Sequence, residues 1–150
     1  ERLLKDAVYD QVTGLPNLAL FMDRLRREMA KPRSFSLYVI LIDLDRFKAV
    51  NDGLGHDAGD SLLTAFGRRI EALLGPNDTV ARLPGDQFAL LFAESAAGDV
   101  NIFSDRVHEA IARPVTDDDT VHRAFDPGRS PVGRLRLNAR RICRGSTQRA

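Results

Sequence analysis

Two groups of residues, about forty positions apart, are of types that do chemistry: Asp43-Leu44-Asp45 at the end of an apolar run, and Pro84-Gly85-Asp86-Gln87-Phe88 between two more. If the strands carrying them lie side by side, Asp43 and Asp86 converge, and two carboxylates at one point imply a divalent cation or a shared proton. Magnesium accepts one or two carboxylates, carbonyl oxygens such as that of Leu44, and the phosphate oxygens of a nucleotide. A metal-bound nucleoside triphosphate is therefore the chemistry these residues suit best. The cation would neutralise phosphate charge and orient a phosphoryl group for in-line attack. Taken singly, a strand-end or turn aspartate also serves merely to solvate or cap, and it is the pairing that favours a site.

Further polar residues follow the first group. Lys48, five residues after Asp43, can answer a phosphate or an acidic group. Asn51 and Asp60 offer donors and acceptors suited to a purine edge, since an aspartate can accept two N–H bonds from guanine. Read alone, Asn51-Asp52-Gly53 is a turn and Asp60 suits a helix N-terminus. His56 is polar and lies in a glycine-rich stretch, but no acidic orienter or nucleophile is identifiable beside it, which favours a loop-fixing hydrogen bond over a general base. Gly53, Gly55 and Gly59 lack the Gly-Lys-Ser/Thr ending of a P-loop, which excludes phosphate cradling of that type.

The elements that must position these residues can be read from periodicity. Leu3, Leu4, Ala7 and Val8 have helical spacing over residues 1–9, an incoming helix or linker that either pairs with a copy of itself or packs on the domain. Asp10 to Asn17 is turn-rich, broken by Gly14 and Pro16, with Asn17 able to cap a helix. Leu18, Phe21, Met22, Leu25 and Met29 share one face of a predicted helix over 18–31. Phe35 to Asp43 reads as a central strand covered on both faces. A loop punctuated by Gly53, Gly55 and Gly59 precedes a second helix over 58–74, with Leu62, Leu63, Phe66, Ile70 and Leu73 inward. Strands over 79–83 and 87–93 form a hairpin whose Gly85 can take positive φ. A third helix spans 99–113. Beyond Pro114, Thr116 to Asp119 read as a turn, and residues 126–150 read as poorly ordered tail. The order implies an α+β sandwich with a mainly antiparallel central sheet flanked by helices.

Composition bounds the rest. The chain has 150 residues, 43% hydrophobic and 29% charged, which suits one soluble globular domain. The stretch from Phe35 to Ile42 is far too short to span a bilayer, and Glu1, Arg2, Lys5 and Asp6 are unlike a secretory signal, so a cytoplasmic domain without membrane contact is expected. The lone Cys143 excludes an internal disulfide. Net charge of +1 hides a division: residues 1–120 carry −6 and residues 121–150 carry +7, from eight arginines and one aspartate. Those arginines lack interleaved aromatics beyond Phe125, so nucleic-acid binding is not expected.

The stretches DQVTGLPN, DLDRFKAVNDGLGHDAGD and ARLPGDQFALL resemble the motifs of the GGDEF domain, the bacterial diguanylate cyclase family: D-x-L-T-G-L-x-N, D-x-D-x-F-K-x-x-N-D-x-x-G-H-x-x-G-D and x-R-x-G-G-D-E-F. The resemblance covers Asp10 to Arg113 and places a GGDEF-like domain at 10–122. It implies a ferredoxin-like, nucleotidyl-cyclase-like βαββαβ core and the condensation of two GTP to cyclic di-GMP and two pyrophosphates. A homodimer would hold one GTP per subunit, with Mg²⁺ or Mn²⁺. By position, Asp43 and Asp86 match the metal-binding carboxylates, with the Leu44 carbonyl as a further ligand and Asp86 near the attacking hydroxyl. Lys48 matches a phosphate-side lysine, Asn51 and Asp60 the guanine-reading pair, and Gly85 the glycine that lets backbone approach phosphate. Sensor or phosphodiesterase domains are the expected neighbours in a full-length protein.

Departures from that pattern are specific. Pro84 replaces the first glycine of the signature, removing an N–H and fixing φ, and Gln87 replaces its acidic fourth residue. Gly75-Pro76-Asn77-Asp78 occupies the place of the product-inhibition motif R-x-x-D without its arginine. The family's S-x-G-x-A strand and the following helix, with its phosphate-holding Lys and Arg, do not follow Val121. The arginine-rich residues 123–150 are what a shifted reading frame or unrelated appended residues would give. Two readings result: a cyclase, or a degenerate module that binds GTP and controls a neighbouring domain.

Overall fold

The computed structural model describes residues 2–32, 36–44, 47–93, 99–113 and 135–143. Helix α1 (Arg2–Val8) leads through a turn into α2 (Leu18–Ala30), strand β1 (Leu37–Leu44), helices α3 (Phe47–Leu54) and α4 (His56–Glu71), the hairpin β2 (Thr79–Arg82) and β3 (Gln87–Ala93), α5 (Val100–Ala112) and β4 (Leu135–Cys143). The four strands form one sheet in the order β2-β3-β1-β4, with the paired strands antiparallel throughout. This is the α+β arrangement expected from the sequence. Among the described residues no helix is long and apolar enough to cross a membrane. The predicted start of the first strand at Phe35 and the turn at Thr116 to Asp119 lie outside the described residues.

Strand alternation divides the apolar residues between two faces. Ile40, Ile42 and Leu44 of β1, with Phe88, Leu90 and Phe92 of β3, join Leu62, Leu63, Phe66 and Ile70 of α4 and Phe103, Val107 and Ile111 of α5 in the larger core. Phe92 and Phe103 stack with ring centroids 4.3 Å apart. On the other face Leu37, Ala81, Ala89 and Leu91 pack against Phe21, Met22 and Leu25 of α2. That cover is incomplete, because Leu41 of the central strand remains 46% exposed. Leu18 and Met29, expected on the inner face of α2, are also exposed. The Asn17 side chain caps α2 by accepting from Leu20 N–H at 3.1 Å and ties it to α1 by donating to the Ala7 carbonyl at 2.9 Å.

Two segments differ from the sequence expectation. Residues 47–54, read as a glycine-punctuated loop, form α3, whose buried Phe47 and Val50 anchor it to the core. Of the three glycines only Gly55 breaks the chain, with φ of 88°; Gly53 and Gly59 lie inside helices. Helix α4 accordingly starts and ends earlier than predicted, at His56 and Glu71. Residues 135–143, read as part of an aperiodic tail, form β4 on the free edge of β1. Leu135, Leu137 and Ala139 alternate with Arg136, Asn138 and Arg140, and the ladder pairs these three apolar positions with Leu44, Ile42 and Ile40. The alternation breaks at Arg141-Ile142, where the register shifts between Leu37 and Tyr38. The rest of the predicted tail lies outside the described residues.

Candidate functional site

The register of β1 and β3 sets Asp43 opposite Gln87, and the Leu44 N–H donates to the Asp86 carbonyl at 3.3 Å. Asp43, Leu44, Asp86 and Gln87 thus meet at one end of the sheet, as the sequence spacing requires if the strands are neighbours. Asp43 and Asp86 are each half-buried. Gln87, in the position of the acidic signature residue, donates a long hydrogen bond from Nε2 to Asp43 Oδ2 at 3.4 Å. Gly85 holds φ of 84° at the tip, and a Cβ there would meet nothing within 4 Å, so left-handed backbone alone requires glycine.

Helices α3 and α4 carry the other candidates. Lys48 lies in the first turn of α3 and is exposed; Asn51 follows three residues later, on the same side of the helix. Asn51 packs against Gly59: a Cβ at that position would stand 1.9 Å from Asn51 Oδ1 and 3.1 Å from Phe47 Cζ. Asp60 is the next residue of α4 and is exposed, so the structure brings the Asn51 amide beside the turn that carries Asp60. The Asp60 carbonyl accepts from the Thr64 hydroxyl at 2.8 Å, and that hydroxyl is 3.2 Å from the Val12 carbonyl. His56 is the exposed first residue of α4.

Sequence reasoning missed the link between the first and last motifs. Arg82 Nη1 contacts Asp10 Oδ1 at 3.1 Å and Nη2 donates to the Gly85 carbonyl at 2.9 Å, while the Arg82 N–H donates to the Pro16 carbonyl at 3.0 Å. Asp10 also accepts from the Thr13 N–H at 2.8 Å and hydroxyl at 2.7 Å. Burial pushes the Asp10 carboxyl upward, but the Thr13 bonds and the Arg82 guanidinium outweigh it and hold the group below its ordinary 3.8. No spacing rule could signal a pair 72 residues apart. A cavity of about 310 Å³ lies beside it, lined by Asn17, Leu18, Leu83 and Pro84; none of the predicted metal or guanine residues lines it.

The donors at the sheet end are all oxygen, the set a hard divalent cation takes. Among the described residues no group of three or more His, Cys, Asp or Glu is placed to hold a metal. A cation bound by Asp43, Asp86 and the Leu44 carbonyl would therefore complete its shell with nucleotide phosphate and water.

Residues 7–125 match the family described as diguanylate cyclase, GGDEF domain. The chain is 40% identical over 131 residues to the diguanylate cyclase TpbB of Pseudomonas aeruginosa, covering 84% of this chain and 30% of TpbB. It is 39% identical over 116 residues to the bifunctional diguanylate cyclase/cyclic di-GMP phosphodiesterase MucR of the same organism, covering 75% of this chain and 17% of MucR. The chain thus spans less than a third of these relatives. The solved GGDEF domain of TpbB superposes with a TM-score of 0.68 at 36% identity, over 87% of this chain and 73% of that one. The chain belongs to the GGDEF diguanylate cyclase domain family and is a GGDEF domain of cyclic di-GMP signalling.

Proposed function

We propose that this chain binds GTP with Mg²⁺ or Mn²⁺ and that its principal role is to signal nucleotide occupancy to a neighbouring domain, with little turnover of its own. The observation that carries the reading is the meeting of Asp43, Leu44 and Asp86 at one sheet end, with Asn51 set against the turn that carries Asp60. Asp43, Asp86 and the Leu44 carbonyl would hold the cation, which supplies neutralisation of phosphate charge. Lys48 answers the phosphates, and Asn51 and Asp60 read the guanine edge. Gln87 and Pro84 in the signature weaken catalysis more than binding, because they alter charge and backbone donors at the reacting end. Relatives named as phosphodiesterase or bifunctional proteins fit a regulatory role beside a second domain, and a cytoplasmic setting fits the substrate.

A second reading, a working cyclase acting as a homodimer, is favoured by the retention of both Asp43 and Asp86. The deciding experiment incubates the chain with GTP and Mg²⁺, separates products, and measures GTP affinity in parallel, with Asp86→Ala as control. Tight GTP binding with unconverted nucleotide is the expected result. Cyclic di-GMP from the parent and none from Asp86→Ala establishes the cyclase instead, and absence of GTP binding overturns both readings.

A further inference from the structure

One side of α4 seats the first turn of the chain at two places. At Gly67 the helix leaves room for the buried Leu15, whose Cδ1 would stand 2.9 Å from a Cβ at that position. One helical turn earlier, on the same side, Thr64 meets the Val12 carbonyl. The Thr64 hydroxyl has one proton to donate and two carbonyls in reach, that of Asp60 at 2.8 Å and that of Val12 at 3.2 Å. A bond back to the residue four positions earlier is ordinary for a helical threonine and implies nothing further. The Val12 carbonyl is different: it lies 52 residues away in the chain, so the hydroxyl stands between the turn that carries Asp60 and the first turn. That first turn is tied in its own right to the signature hairpin. Thr13 donates twice to Asp10, Arg82 Nη1 donates to Asp10, and Arg82 Nη2 donates to the Gly85 carbonyl. The contacts thus run from the helix turn proposed to read the base to the hairpin tip at the other end of the site, and Thr64 is their junction with α4. A ligand gripped at both ends needs a fixed span between them, which supporting bonds of this kind supply.

We infer that Thr64 is a positioning residue for guanine recognition: by pinning α4 to the Val12 carbonyl, it holds Asp60 at a fixed reach from the signature tip. The inference deepens the proposed GTP site and rests on the reading of Asp60 as its guanine-facing carboxylate. Thr64 itself touches no nucleotide in this scheme and acts through the backbone of the turn that carries Asp60.

The test compares the parent with Thr64→Val, which keeps the shape and loses the hydroxyl, and with Thr64→Ser, which keeps the hydroxyl. Thr64→Val is also combined with Asp60→Ala. Competition binding reads GTP and ATP, and hydrogen exchange reads the amides of Thr13 and Gly14, both bonded to Asp10, against those of the β1–β3 ladder. Thr64→Val is expected to lower GTP affinity about two- to tenfold, the span of one hydrogen bond, to leave any ATP affinity as it was, and to speed exchange at Thr13 and Gly14 but not in the ladder. Thr64→Ser should stay at the parental value, and Thr64→Val should change GTP affinity no further once Asp60 is gone. Should Thr64→Val unfold, Thr64→Ala removes the hydroxyl with a stronger helix former. Unchanged GTP affinity, an equal loss for GTP and ATP, a loss that persists without Asp60, or a serine variant as weak as the valine one overturns the inference. A parent that binds no GTP overturns the nucleotide reading, whereas unchanged exchange at Thr13 and Gly14 in Thr64→Val overturns the link itself, so the two failures are read separately.

Discussion

Arg82 joins the first and last motifs through one side chain, touching Asp10 of the first turn and the Gly85 carbonyl of the signature hairpin. Its side chain is 14% exposed and that of Asp10 19%, so removing either partner leaves a charge in a poorly solvated place. Arg82→Ala should lose about 3 kcal/mol in urea unfolding, and Arg82→Lys should recover only part, because an ammonium cannot fork between carboxylate and carbonyl. The pair also sets a pH dependence. Because the folded Asp10 carboxyl titrates below the ordinary 3.8, the unfolded chain takes up its proton first as pH falls. The stabilisation is full above that value and is lost as pH drops through the folded value. Asp10→Asn should therefore be clearly less stable than the parent at pH 7, and the difference should shrink in unfolding curves taken below pH 3.8. A difference that stays constant across this range would contradict the assignment. Gly59→Ala makes a different prediction, because its Cβ would stand 1.9 Å from Asn51 Oδ1. The Asn51 amide can swing aside, at a cost of about 1–2 kcal/mol in repacking, but then leaves the place from which it is proposed to read a guanine edge. Competition binding should show GTP affinity falling while any ATP affinity stays as it was.

At the scale of elements, β4 decides whether β1 is a central or an edge strand. It pairs with β1 along its length, from Leu37 to Leu44. Ending the chain after residue 134 should expose one row of β1 backbone groups, speed hydrogen exchange at those amides, and make the protein prone to associate through the bare edge. Unchanged protection of β1 would show that another element covers it. This strand also shows what the sequence concealed. Helices α4 and α5 and strand β3 were legible because each buries a regular face, as Val100, Phe103, Val107 and Ile111 do in α5. Helix α3 was not, because Asn51, Asp52 and Gly53 favour turns and only Phe47 and Val50 are buried to outweigh them. β4 was masked by arginine density and by the slip at Arg141-Ile142, although Leu135, Leu137 and Ala139 keep a period of two. The convergence of Asp43 and Asp86 needed only adjacent strands, which apolar runs disclose. The Gln87 bond and the Asp10 pair depend on register and tertiary contact, which no local pattern records.

At the scale of the whole molecule, the condensation that the family resemblance implies joins two nucleotides, and each chain carries one proposed site, so under the cyclase reading two chains would have to come together. Among the described residues the most exposed large apolar side chains are Leu3 and Leu4 on α1, at 86% and 74%, a surface suited to bringing copies together. Helix α1 is nevertheless held to the domain, since the Asn17 N–H donates to the Val8 carbonyl at 2.9 Å and Tyr9 pairs with Pro16. Self-association through α1 would thus fix the two domains relative to each other rather than merely tether them. Replacing Leu3 and Leu4 together by glutamate should shift sedimentation equilibrium toward monomer by at least tenfold in dissociation constant, since each buried leucine contributes about 1.5–3 kcal/mol. GTP affinity per chain should not change, because both residues lie on α1, away from the sheet end and the α3–α4 pair. A parent that forms any cyclic di-GMP should show specific activity rising with protein concentration, and the double variant should lose that activity while still binding GTP. Equal association of parent and variant would place the contact between copies on another face, and the incompletely covered sheet face at Leu41 would be the next surface to substitute.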